Sequence, residues 1–234
     1  MSLKPLHQNI LTSAVTVVYV KSVVIVCDYA VSKGLLSTEV SRKIVHMAAG
    51  TWPLFWPYFD ESHPSWRLNI TVPFMYMLQL AQSAFSGDKD DPLVKTLSRT
   101  GDPKELLYGP LFFTLVMNST GLFFFRQTES VYVMSCLGFG DGIAPLVGTW
   151  YPYGRYPTHP FDEKSKKTLT GSLGFFLASV VGFQILKNSG RGEPANMASF
   201  LPVAAICTVT EGISGVYDNI AVAVIGFLSP KLFP

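Results

Sequence analysis

The sequence predicts an all-α fold, a multi-pass transmembrane helical bundle of about seven spans, with six to eight as the bounds. Three observations predict it. Charged residues make up 15% of the chain and apolar residues 48%, against roughly 25% charged in soluble domains. The apolar residues fall in runs close to the ~20 residues that a helix needs to cross a bilayer. Lys and Arg, finally, are concentrated in alternate loops, the bias that orients membrane proteins.

Taken in order, the expected spans are Ile10–Ala30, Ile44–Phe59 (short), Trp66–Phe85, Leu107–Phe125, Ser130–Trp150, Thr168–Leu186 and Ser199–Val216. A last short run, Ile220–Leu228, either crosses or lies in the interface. The loops after spans one, three and five carry Lys33, Arg42 and Lys43; Lys89, Lys95, Arg99 and Lys104; and Arg155, Lys164, Lys166 and Lys167. The other loops and their edges carry only Arg67, Arg126, Lys187 and Arg191. Eleven basic residues against four put the three basic loops on the cytosolic or stromal side. Trp52, Trp56, Trp66 and Trp150 fall near expected span ends, as interfacial aromatics do. Span seven then returns to the basic side near residues 215–219. The chain reads as one integral-membrane domain over residues 1–234.

Some classes drop out. A net charge of +2, with the charges grouped in loops, gives no nucleic-acid signal. Cys27, Cys136 and Cys207 are widely spaced in apolar runs, so neither a zinc site nor a disulfide framework is expected. Neither a cleavable signal peptide nor an Arg/Ser-rich transit segment is evident at the start.

Four stretches carry chemistry, and the topology brings them to one membrane face. In GFGDGIAPLVG, Asp141 stands between Gly140 and Gly142 inside an apolar run. A carboxylate at that depth normally faces a bundle interior or a wet cavity. With Pro145 four residues on, the helix is expected to break there and turn backbone groups toward that cavity. The plainer alternative is a structural carboxylate paired with a lysine or hydroxyl. In KSKKTLTGSLG, Lys164, Lys166 and Lys167 precede a helix start with Gly171 and Ser172, a setting that suits phosphate. Its plainer reading is the basic flank of a span. In TVTEGISGVYDN, Glu211, Asp218 and Asn219 offer oxygen ligands for a hard cation such as Mg²⁺. Helix capping accounts for Asp218 but not for Glu211. In SRKIVHM, Arg42 and Lys43 read as snorkelling anchors or anion ligands, and His46 lies one turn on, along the same face. Acids for a divalent ion, bases for phosphates and glycines for close approach, under an apolar bundle, fit phosphoryl or nucleotidyl transfer to a lipid.

These four motifs, in this order and spacing, resemble the polyprenol kinase family, from about Ser41 to Gly226. That family includes phytol, farnesol and dolichol kinases and a CTP-dependent diacylglycerol kinase. More distantly, the chain is similar to CTP-dependent phosphatidate cytidylyltransferases. The resemblance implies phosphorylation of an isoprenoid alcohol of the phytol, farnesol or geranylgeraniol type, from CTP or another NTP, with Mg²⁺ or another divalent cation. It implies catalytic roles for Asp141, Glu211, Asp218 and His46, with Asp141 and Asp218 as metal ligands. Nucleotide contacts are expected from Lys164, Lys167, Gly171, Ser172, Gly140, Gly142, Arg42, Lys43 and Asn219. Expected partners are the alcohol, the nucleotide and membrane lipids, in an endoplasmic-reticulum or plastid membrane. The RTGDPKELLYGPLFF stretch and the chain length look most like the phytol/farnesol branch. The Ala144–Pro145 step departs from the GDGIADIVG pattern common in phytol kinases, which leaves the alcohol open. Alternatives are a CTP-dependent nucleotidyltransferase acting on a phospholipid, a dolichol or diacylglycerol kinase, and a cation- or proton-coupled transporter. The transporter lacks support from any internal repeat.

Overall fold

The protein is described by a computed structural model covering residues 4–98, 100–158, 166–191 and 195–229, without the Lys166 side chain. Among the expected site residues, Lys164 lies outside the described residues. The described residues are mostly helical. Helices α1 (Pro5–Ser32), α2 (Thr38–Gly50), α3 (Thr71–Ser86), α4 (Pro92–Leu97) and α5 (Pro110–Phe123) come first. They are followed by α6 (Thr128–Met134), α7 (Asp141–Trp150), α8 (Leu169–Leu186), α9 (Met197–Ile213) and α10 (Asp218–Leu228). Strands β1 (Arg155–Pro157) and β2 (Lys166–Thr168) pair antiparallel between α7 and α8.

Among the described residues, four helical stretches are long and apolar enough to cross a membrane: Pro5–Ser32, Pro103–Phe123, Thr128–Trp150 and Leu169–Leu186. Met197–Ile213 and Gly215–Leu228 are shorter apolar helices. The expected span Ile44–Phe59 is not one helix. It is divided between α2, which ends at Gly50, and a 3-10 segment, Trp52–Tyr58. Pro53 and Pro57 explain the change, since each removes a backbone donor and crowds the preceding turn. Trp52 and Trp56 are fully buried, their rings 5.0 Å apart and Trp56 5.3 Å from Phe125. They form an aromatic core rather than the interfacial anchors expected of them.

The chain divides into two compact units. The first comprises residues up to Val45 and Tyr58–Phe123. Here a polar seam fixes α1: Asn9 Nδ2 donates to the Asp60 carbonyl (2.9 Å) and Ser65 Oγ (2.8 Å), and its Oδ1 accepts from Asp60 N–H (2.7 Å). Leu80, Ala84, Val94 and Leu106 make a small apolar core under α3 and α4. Asp91 caps α4 by accepting from Leu93 N–H (2.7 Å), and it also accepts from Ser83 Oγ (2.8 Å).

The second unit comprises His46–Pro57 and the chain from Phe124 onward. Its axis is the continuous stretch Thr128–Trp150, mostly buried, against which α8 and α10 pack. The Phe183 and Phe200 rings stack at 4.4 Å, with Tyr132 5.2 Å from Phe200, which joins α8 and α9 to α6. On α8, Gly171, Gly174, Phe175, Ser179, Gly182 and Phe183 are buried. Leu169, Leu173, Leu177, Val181 and Ile185, one turn apart, are exposed. An apolar outer stripe of that length is what a lipid-facing helix presents.

One contact fixes the last turn of α2, from His46 to Gly50, within this unit. A Cβ on Gly50 would lie 2.5 Å from the Gly138 Cα, and both are backbone, so neither side can give way. Gly50→Ala is therefore expected to destabilise the protein by about 1–3 kcal/mol, the usual cost of overpacking. Thermal unfolding in detergent reads this directly; an unchanged midpoint would contradict the backbone contact.

Candidate active site

The site begins with a distortion in the central helix. Between α6 and α7, residues Ser135–Gly140 form a π-helical turn. The expected break at Asp141 does not occur. The helix runs on, and the change in geometry is absorbed by the wider turn, which takes up an extra residue and shifts carbonyls off their usual partners. One of these, the Leu137 carbonyl, receives His46 Nε2 at 2.9 Å. Because a carbonyl only accepts, Nε2 carries the proton. The same nitrogen lies 3.3 Å from Asp141 Oδ2, so its N–H is shared between the carbonyl and the carboxylate. His46 thus reaches Asp141 as a donor. The Gly50–Gly138 contact, one turn after His46 on α2, gives this reach its physical basis.

Two acids join from the C-terminal helices. Glu211 is buried near the end of α9. Gly215, at φ +56°, turns the chain into α10, where Asp218 is the first residue. Asp218 Oδ1 accepts from its neighbour's amide, Asn219 N–H, at 2.8 Å. Carboxylate oxygens of Asp141, Glu211 and Asp218 all lie within 4.8 Å of one another. Asn219 is buried beside them in sequence.

Lys167, from β2, enters this group. Its Nζ donates to the Glu211 carboxylate, to the Glu211 carbonyl (2.6 Å) and to Asp218 Oδ2 (3.0 Å). Burial works against the ammonium charge, but the facing carboxylates of Asp218 and Glu211 outweigh it and raise the Lys167 pKa. The lysine therefore remains charged throughout the physiological range. The donor set is all oxygen, which suits a hard cation. Asp141, Glu211 and Asp218 are the residues that would hold such a cation.

The other expected residues have different surroundings. Gly171 N–H is occupied by the Thr168 hydroxyl at 3.0 Å, which caps α8. A Cβ on Gly171 would lie 3.1 Å from the Ala144 carbonyl, so this glycine lets α7 and α8 approach. Gly140 faces Phe175 and Ser179 of α8, and Gly142 faces Met47 and His46. These glycines border side chains of the protein itself. Ser172 Oγ lies 2.6 Å from the hydroxyl of Tyr156. Arg42 and Lys43 belong to the first unit, where Arg42 Nη1 donates to the Leu97 carbonyl (3.3 Å) and Lys43 is buried. Sequence reasoning missed Tyr156 and the Leu137 carbonyl. The first depends on strand register and the second on a π-turn, and neither has a local sequence signal.

Comparison with known proteins gives consistent likenesses. The chain is 31% identical over 218 residues to a Zea mays protein named "Probable phytol kinase, chloroplastic", covering 86% of this chain and 69% of that one. It is 30% identical over 208 residues to "Probable phytol kinase 1, chloroplastic" of Glycine max, covering 83% and 67%. With "Farnesol kinase, chloroplastic" of Arabidopsis thaliana the identity is 26% over 211 residues, covering 84% and 67%. No protein-family model and no solved structure matches the chain.

Proposed function

The chain belongs to the polyprenol kinase family of alcohol-accepting phosphotransferases, and from that premise we propose that it phosphorylates an isoprenoid alcohol within a membrane. The alcohol is of the phytol, farnesol or geranylgeraniol type, and the donor is CTP or another NTP. The observation that carries this reading is the meeting of Asp141, Glu211, Asp218 and Lys167 in one cluster, buried at Glu211 and half-buried at the others.

The cluster divides the work. A divalent cation held by Asp141 and Asp218, with Glu211 beside them, would neutralise the charge of the transferring phosphoryl group. Lys167 presents a fixed positive charge at the same place, suited to phosphate oxygens. The hydroxyl oxygen of the alcohol attacks the γ-phosphorus and the bond to the β–γ bridging oxygen breaks. Lipid monophosphate and nucleoside diphosphate result, and the hydroxyl proton passes to a carboxylate oxygen of Asp141. His46, donating from Nε2, orients that carboxylate. The exposed apolar stripe of α8 and the four helices of spanning length support embedding in the bilayer, where such an alcohol resides. The relatives are named as chloroplastic, which supports a plastid location, and the bias of Lys and Arg among the loops supports a site on the stromal face.

The test incubates a membrane fraction holding the protein with labelled CTP, ATP or UTP and a panel of phytol, farnesol, geranylgeraniol, dolichol and diacylglycerol. The expected result is a labelled monophosphate of one of the first three, formed only with divalent cation present. No labelled lipid with any pair would contradict the reading.

A further inference from the structure

We infer that Tyr156 is a positioning residue for Lys167, an assignment that rests on the reading of the acidic cluster as the nucleotide site. Three independent contacts lead to it. In the β1–β2 ladder Tyr156 stands directly opposite Lys167. Directly opposed residues of an antiparallel pair project from the same face, so phenol and ammonium leave the hairpin together. The Tyr156 hydroxyl then meets Ser172 Oγ of α8 at 2.6 Å. The phenol also lies against Gly212 of α9, where an added Cβ would come within 2.6 Å of the hydroxyl oxygen.

The consequence is a three-way tie. A short two-stranded ribbon is marginal by itself and takes its place from what it is fastened to. Tyr156 fastens it to α8 through Ser172 and to α9 beside Glu211, the partner of Lys167. Gly212 thereby has a specific reason to lack a side chain, because the phenol oxygen takes the space a methyl would need. The Ser172 hydroxyl, expected from sequence to hold phosphate, serves this phenol.

Acylation of lysines by an N-hydroxysuccinimide ester, read by peptide mass spectrometry on the folded full-length protein, reports on Lys167 without any assay of activity. Lys167 should react slowly in the wild type, with exposed Lys89 as internal reference. Tyr156→Phe removes one hydroxyl and should speed Lys167 labelling by about 2- to 10-fold, the range corresponding to one net hydrogen bond. Gly212→Ala should do the same in the tyrosine background. In the Tyr156→Phe background it should add nothing, because the next ring atoms, at 3.5 and 3.6 Å, are at ordinary contact distance. Equal labelling of Lys167 in wild type and Tyr156→Phe, or additive effects in the double variant, would overturn the assignment. In the kinase assay Tyr156→Phe should raise KM for the nucleotide and leave KM for the alcohol unchanged; the reverse split would also overturn it. A wild-type protein without kinase activity would remove the functional reading while leaving the labelling result to decide the role of Tyr156.

Discussion

Asp141→Asn is expected to lower nucleotide-dependent phosphorylation of the alcohol by roughly 10²–10⁴-fold, the usual worth of a positioned acid or base. The substitution keeps the size of the side chain and an oxygen that still accepts from His46 Nε2–H. Only the charge is removed, and with it one cation ligand and the acceptor for the hydroxyl proton. Asp141 is partly buried at the head of α7, tied to His46 at 3.3 Å and within 4.8 Å of the Glu211 and Asp218 oxygens. The loss should therefore appear in kcat, with membrane insertion and thermal unfolding near those of the wild type. Normal turnover in this variant would remove Asp141 from the chemistry.

Lys167→Met should damage both stability and turnover. The ammonium is the cation bonded to Glu211 and Asp218, and its side chain is 19% exposed. Removing one partner of a buried ion pair leaves uncompensated charge and costs about 3–5 kcal/mol, with the lower end expected at this exposure. Glu211→Gln added to Lys167→Met should recover part of that loss, because one of the stranded carboxylates is then gone. Thermal unfolding of the wild type and the two variants in detergent measures this. A Lys167→Met protein as stable as wild type would show that the ammonium does not hold the carboxylates together.

How far the sequence foretold this site depends on the residue. Asp141 and Glu211 were legible because a charge in an apolar run is costly, and that cost points to a partner or a ligand, whereas Lys167 and Asp218 were read from basic and oxygen-bearing groups at helix starts. The glycines were read as allowing bending and close approach, and an added Cβ on Gly140, Gly142 or Gly171 would meet Phe175, Met47 or the Ala144 carbonyl of neighbouring helices. Sequence shows that a Cβ is absent and does not show what fills the space. The GDG element suggested a broken helix, whereas the π-turn at Ser135–Gly140 exposes a carbonyl without interrupting the helix. Pro145 sits inside α7 and does not end it. Ile44–Phe59 was apolar enough for a span, but its prolines outweighed its hydropathy. Tyr156 carried no signal because its role follows from register with a strand eleven residues away.

The central claim is that the γ-phosphoryl group of a nucleotide passes to an isoprenoid hydroxyl at the Asp141–Glu211–Asp218 cluster. The most direct measurement follows the phosphorus atoms. Purified protein in lipid nanodiscs is given phytol or farnesol and a nucleoside triphosphate labelled at either the α or the γ position. The account predicts lipid monophosphate carrying only the γ label, together with nucleoside diphosphate, and loss of both products in Asp141→Asn. An α label in the lipid with release of pyrophosphate, or an unlabelled lipid from both donors, would contradict it.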